Sequence, residues 1–508
     1  MIRTLMTTAA AVLMLSQTAM AQKSSDTLKL TVLDPFPMAD PYYVPANEAN
    51  QWNRSIHGRL IVYDEYKGEF VGELAKSWKH IDDKTIEFEL RDDINFTSGN
   101  HFTGEDVKYT MEYFADPNVN VRFKQRFDWI DHVDVLSPYK IRVYAKAPRA
   151  DDLEVIAYRH HIFDKKVHEA LDDKSTYGKV NPSSTGAYKV VSIDHNGNIR
   201  LVRNDDAVAK LKNLRAPIKN IVGVPIVDRQ TQIAQLITGG THVLAKATPD
   251  ILKEFEGNPD FKVTPFSSRL LAYITIDAAG RSDNKIFTDK RLRLAFIKAI
   301  DREKLIQAFV PGADIAVRPK AICFNDNIGC ASTTEPYGYD PEGAKKLLAD
   351  AGKPDGFDME LSAFQPYKTL AEGIAGDLRK VGIRATVASL PIAVYTKLRG
   401  EGKLTTLVAE YPTFSQPNLI NIMDVFFGGD RDYTNDPIIA KAYQEGPSQL
   451  DLAKRTEIYK TAMDRVNTEG YILPISEEPN LFLHSKDVEI KQGLTSKTET
   501  RPEDYFWK

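Results

Sequence analysis

With 508 residues and 42% hydrophobic side chains, the chain exceeds one ordinary core, so two or three domains are expected. Its 66 Lys and Arg against 70 Asp and Glu leave a formal charge of −4, a mixed and mildly acidic balance that argues against nucleic-acid binding. Beyond the N-terminal apolar run, no stretch reaches the roughly 18 uncharged residues that a membrane span needs.

The first residues read as an export signal. Arg3 supplies a positive start, Leu5 to Leu15 carry no charge, and Ala19-Met20-Ala21 places small residues where a signal peptidase reads. Cleavage before Gln22 is expected, giving an exported chain in a Gram-negative periplasm. It takes away Arg3 alone and moves the formal charge from −4 to −5. No Cys follows the apolar run, so a lipid anchor is not indicated.

The next segment predicts a strand from Leu28 to Leu33, and Pro35, Pro37, Pro41 and Pro45 then exclude a helix. Leu74 to Trp78 reads as a short amphipathic lead-in. In Thr85–Arg91, Ile86, Phe88 and Leu90 alternate with polar residues, the period of a half-buried strand. Thr103 and Asp106 have capping-box spacing, with Val107, Met111 and Phe114 on one helical face. Ile141–Ala145 predicts another strand, and the Pro/Ser-rich break at residues 181–188 marks a crossing between domains. Asp228–Gly239 predicts a short helix with Ile233, Leu236 and Ile237 inward.

A second region opens with a strand at Leu271–Ile276. Thr288 is expected to cap a helix presenting Leu292, Ala295, Phe296 and Ala299, and Asp301 one presenting Leu305, Ile306 and Phe309. Between Cys323 and Cys330, the only cysteines, Asn325, Asp326, Asn327 and Gly329 make a turn-rich loop. A disulfide could close it, worth roughly 2–3 kcal/mol of loop entropy. A metal or redox pair is the alternative, though neither a partner His nor a CxxC spacing accompanies it. Asp340-Pro341 opens a helix closed by Gly352, and Leu370, Ile374 and Leu378 stripe another stopped at Gly382. Strands alternating with helices of this length indicate an α/β architecture.

Five blocks in order resemble the family 5 extracellular solute-binding proteins, the peptide/nickel-type receptors of bacterial ABC importers. They are the Leu74–Val107 stretch, Ser184–Val190 (with Ala187 where the family usually has Pro), Gln232–Gly239, Thr288–Arg302 and Tyr339–Gly352. The resemblance implies a two-lobed type II periplasmic-binding-protein fold with an additional inserted domain. Lobe I would comprise 22–61, 183–267 and 477–508, the inserted small domain 62–182, and lobe II 268–476. The implied function is to bind a small organic ligand, peptide-like first, by cleft closure and to deliver it to the inner-membrane permease. A monomer without cofactor or metal is expected. An oligosaccharide or opine-like ligand is the alternative, a metal chelate less so.

The resemblance also places one wall of the ligand site at residues 409–418. Tyr411 stands where Trp is common, and no Asp stands at the position that can pair with a peptide amine; Phe414 or Asn418 does, with Glu410 as a possible substitute. Tyr411, Phe414 and Tyr395 would stack on sugar rings or apolar side chains, or else simply pack in the loop. Arg399 has the fork for a carboxylate, its alternative being a solvated helix end. Phe36 and Tyr42 are weaker candidates from the Pro-rich segment. On this reading Tyr411→Ala weakens binding and leaves the melting temperature nearly unchanged.

Catalysis finds no support in the motifs. GxSxG, HExxH, GxxxxGK[ST] and a strand-borne GxGxxG are all missing. His160 and His161 are adjacent, so on a strand they would face opposite ways and not share a metal.

Overall fold

The computed structural model describes residues 25–32, 35–43, 47–64, 69–121, 124–179, 182–412, 418–491 and 500–508, with Lys23 and Lys67. The expected signal segment lies outside them. The chain forms two compact units, one running to Phe266 and taking in Leu481–Lys508, the other spanning Ser267–Asn480.

The first unit holds strands β1 (Thr27–Val32), β2 (Ile61–Asp64), β3 (Glu69–Gly72), β4 (Ala75–His80), β5 (Thr85–Leu90), β6 (Ile130–Ser137), β7 (Lys140–Ala145), β8 (Tyr188–Ile193), β9 (Ile199–Arg203), β10 (Asn220–Pro225) and β11 (Val243–Leu244). β1 lies between β10 and β11, parallel to both, and β9 and β8 continue outward from β10 as antiparallel neighbours. Leu28, Leu30 and Val32 point from β1 into a core with Trp52, Tyr188 and Ile221.

β4, β5, β7 and β6 make a separate antiparallel sheet in that order. The helix Gly104–Ala115 packs on it, burying Val107 and Met111 with Phe88, Ile141 and Val143. The Thr103 N–H donates to Asp106 Oδ2 at 2.9 Å, as the capping-box spacing required. The strand β5 departs from simple alternation, because Thr85 and Glu87 are buried as well. Glu87 can be buried because Lys79, Lys140 and Arg142 all reach its carboxylate. The expected amphipathic lead-in at Leu74–Trp78 is instead β4, paired along β5.

The strand β12 (Phe261–Ile276) carries the chain into the second unit, where β13 (Phe357–Phe364), β14 (Ile383–Leu390) and β15 (Thr406–Pro412) follow, and β16 (Ile472–Ser485) carries it back. β17 (Val488–Ile490) and β18 (Tyr505–Trp507) then close a short antiparallel ribbon. In the second unit β13 is parallel to both β14 and β15, and β15 runs antiparallel to β12. The helices Lys290–Lys298, Arg302–Phe309, Pro341–Asp350 and Lys368–Arg379 bury Phe296, Leu305, Leu348 and Ile374 in one core with Leu361 and Val408.

Local expectations needed three adjustments. Asp289, not Thr288, caps the helix at Lys290, its carboxylate taking the Arg291 N–H. Ile237 and Phe309 are exposed at helix C-termini rather than inward. His160 and His161 follow the helix Asp152–Arg159 instead of lying within a strand, and both are buried.

Those two histidines join His57 and His168 against Tyr42, Phe114, Phe127, Phe163 and Tyr177. Burial pushes His57 down to about 4, His160 to about 3, His168 to about 4, and His161 well below the usual imidazole range. Burial pushes Asp40 the other way, to about 6. Because the imidazoles fold neutral, their contribution to stability is complete above about pH 6.5 and falls as the unfolded chain takes up protons first. By pH 5 each of His57 and His160 should cost about 2 kcal/mol, while Asp40 returns about 1 kcal/mol over the same interval. Denaturant titration at pH 7 and pH 5 should show the first unit losing several kcal/mol, and His160→Phe should flatten that slope; equal stability at the two pH values would refute it.

Candidate functional site

In the second unit, Glu410 and Tyr411 sit side by side on β15, so their side chains leave opposite faces of the sheet. Tyr411 packs among aromatic rings: its own lies 5.4 Å from Phe426 and 6.3 Å from Phe324, and the Asn421 amide donates to its hydroxyl. Only 3% of it is exposed. Tyr395 is buried too, its hydroxyl 3.3 Å from that of Tyr273 and 3.2 Å from Arg399 Nη1.

Arg399 Nη2 donates to the Val425 carbonyl at 2.8 Å, and its guanidinium stands 5.8 Å from the Phe426 ring centre. The fork expected to meet a carboxylate is therefore turned onto the helix Leu419–Phe427. Asn418 caps that same helix, accepting the Ile420 N–H at 3.1 Å, and is 2% exposed. The cap explains the Asn: without it the first turn would leave donors unsatisfied. Phe414 lies outside the described residues.

Phe36 is in the first unit, buried against Trp52 with ring centres 5.1 Å apart. Tyr42, also there, stacks 3.5 Å from Phe114 and donates to the His161 carbonyl. Cys323 and Cys330 form a disulfide with their Cα atoms 6.0 Å apart. Next to it, Asp464 takes hydrogen bonds from Ser332, Thr333 and Thr334, pinning the loop to the helix Leu452–Glu469.

The arrangement that sequence reasoning missed surrounds Glu410. The Tyr367 hydroxyl lies 2.9 Å from Glu410 Oε2 and 2.9 Å from Glu478 Oε2. A phenol has one proton, so it can donate to one of these carboxylates at a time. Both glutamates are half-buried, and Tyr367 is almost fully so. Burial, then Glu478, then Glu410, holds the phenol far above its usual range, so it stays a donor. One neutral donor thus holds two carboxylates side by side. The signal was available: Glu477-Glu478 interrupts an otherwise apolar run in Ile472–Ser485.

Among the described residues, no group of three or more His, Cys, Asp or Glu is placed to hold a metal ion, and no helix is long and apolar enough to cross a membrane.

The fold defines the class. The chain has the mixed α/β fold of the type II periplasmic binding proteins, shared with solved structures at TM-scores near 0.8. One is the dipeptide binding protein from Pseudoalteromonas sp. SM9913 in complex with Met-Leu, at TM-score 0.79 and 21% identity, covering 95% of this chain and 100% of that one. Another is NikZ from Campylobacter jejuni in complex with Ni(L-His), at TM-score 0.79 and 20% identity, covering 95% and 99%. Among curated relatives, the glutathione-binding protein GsiB of Escherichia coli O1:K1 / APEC is 23% identical over 482 residues, 89% of each chain. The chain belongs to the bacterial extracellular solute-binding proteins, family 5, whose model matches residues 69–433.

The burial of Tyr411 changes the expectation for its truncation. Tyr411→Ala removes a ring enclosed by Phe324, Phe426 and Asn421, and should destabilise the second unit by about 3 kcal/mol. Urea unfolding read at the second unit's transition measures this; an unchanged midpoint would mean the ring contributes nothing to packing.

Proposed function

We propose that the chain is the periplasmic substrate-binding component of an ABC importer of the peptide/nickel type. In this reading it binds a peptide-like small organic ligand carrying a protonated amine and delivers it to the membrane permease without chemistry of its own. Residues 1–21 serve as the signal that directs it to the periplasm, and the mature chain works as a monomer. The lobe assignments are part of the same proposal: 22–61, 183–267 and 477–508 for lobe I, 62–182 for the inserted domain, and 268–476 for lobe II.

The observation that carries the amine is the carboxylate pair of Glu410 and Glu478 on one Tyr367 hydroxyl. A buried ammonium needs a carboxylate, since an uncompensated charge out of water costs several kcal/mol. The family's usual Asp position is vacant in this chain, and Glu410 with Glu478 supplies that charge from β15 and β16. Family membership supports the importer role, and the peptide and glutathione named for its relatives support a peptide-like ligand. Tyr411, Tyr395 and Arg399 act in this reading as the packed support of β15 rather than as ligand contacts. That leaves the sugar-stacking alternative with fewer aromatic groups to use.

The test is calorimetric titration of ligand-stripped protein with short peptides, their N-acetylated forms, oligosaccharides, opine-like acids and metal chelates. Free-amine peptides should bind, and both N-acetylation and Glu410→Gln should weaken binding about tenfold or more, equivalent to about 1.4 kcal/mol. Binding confined to sugars, acids or chelates, or indifference to acetylation, would refute the amine.

A further inference from the structure

The first unit contains a cavity of about 730 Å³ whose wall differs in sign from the chain as a whole. Eight Lys and Arg side chains line it against three carboxylates, a formal excess of five positive charges in a chain of net charge −4. The cations come from distant parts of the sequence: Arg54 and Arg59, Arg91 after β5, Lys210 to Arg215 after the helix Asp205–Lys210, and Arg501 near the C-terminus.

The three carboxylates are already engaged. Glu73 receives both the Arg59 backbone N–H at 3.1 Å and its guanidinium at 3.3 Å. Glu503 accepts from the Ser55 hydroxyl, and Asp64 lies 3.6 Å from Lys67. Three of the cations lean on carboxylates outside the wall: Arg91 on Asp93, Lys210 on Asp206 and Arg501 on Asp504. The Arg91 and Lys210 pairs are partly exposed and worth little, so they can yield to a better anion, whereas Asp504 is buried and keeps Arg501.

The deep wall is formed by Arg54 and Arg59, both buried, with Arg54 held 4.8 Å over the Tyr158 ring. Lys212 and Arg215 are exposed on the same lining. Burial pushes the Arg59 guanidinium down to about 10, the direction an anion in the cavity would reverse. A concave wall of one sign focuses its field, and guanidinium forks match phosphate and carboxylate geometry. The volume is that of a pocket for a small organic molecule, not of a groove for a polymer.

We propose that this cavity is a second binding site, for a compact organic polyanion bearing two or more phosphate or carboxylate groups. It is formed wholly within the first unit, so it does not depend on the ligand reading of Glu410.

Calorimetric titration of the full-length mature chain with sodium pyrophosphate and with citrate, in roughly 0.1 M salt where distant charges are screened, tests this. At least one probe should bind with a stoichiometry of one and raise Tm. Lys212→Glu with Arg215→Glu, both at exposed positions, should lower that affinity at least about tenfold while leaving the Tm of the unliganded protein unchanged. Glu410→Gln should leave it unaltered. The site is refuted if neither probe binds, if many weak sites titrate instead of one, if the doubly reversed variant keeps wild-type affinity, or if Glu410→Gln abolishes the binding.

Discussion

A charge withdrawn from water must find its counter-charge within the fold, and the first unit is organised around one such pair. Arg59 and Glu73 are both nearly inaccessible. The Arg59 guanidinium also donates to the Ala157 and Arg54 carbonyls, while its own carbonyl takes the Leu74 N–H. One side chain thereby ties the helix Asn47–Ile56, the β2–β3 hairpin and the helix Asp152–Arg159 together. Loss of one partner would leave the other buried and unpaired, a change of about 3–5 kcal/mol. The pair explains why segments so distant in sequence pack as one unit, and it also supplies one wall of the basic cavity.

The second unit treats charge differently. Arg293 is satisfied by the Glu469 and Phe287 carbonyls, and Asp277 by the Arg281 and Ser282 N–H groups, so those buried charges are accounted for within the unit. Glu410 and Glu478 meet a shared phenol at Tyr367. A neutral donor orients two carboxylates but does not neutralise them. Neutral hydrogen-bonding groups thus orient these side chains, where in the first unit Arg59 and Glu73 meet directly.

Periodicity made much of the fold legible. The alternation in β1 and β7, the stripe Leu370, Ile374, Leu378 and the Asp340-Pro341 start each depend on neighbours within a few residues, and the structure keeps them. Where the reading slipped, a competing contact decided the outcome. Glu87 is buried because Lys140 and Arg142 arrive from β7. Thr288 lost its cap to Asp289, one residue on, whose carboxylate reaches the Arg291 N–H. The site was less legible still. Tyr395, Arg399 and Tyr411 are the residue types a ligand wall uses, but residue type does not say which way a side chain faces. Only the register of β15 against β12, with Glu410 opposite Ala272 and Tyr411 opposite Leu271, sets one outward and the other inward.

Composition has the same limit on a larger scale. A net charge of −4 argues against an extended basic face, because such a face needs a surplus over the whole surface. It says nothing about a concave wall, where the relevant sum covers a few residues and the Debye length is about 8–10 Å. Residues 54, 59, 91, 210–215 and 501 contribute to one wall through tertiary folding alone, and no window along the sequence contains them all. Folding thus creates local sums that differ from the average, a cationic cavity wall in one unit and two carboxylates set together at Tyr367 in the other. Ligand selectivity in a chain of balanced charge must arise from these local sums, since the average would attract neither an ammonium nor a polyanion strongly.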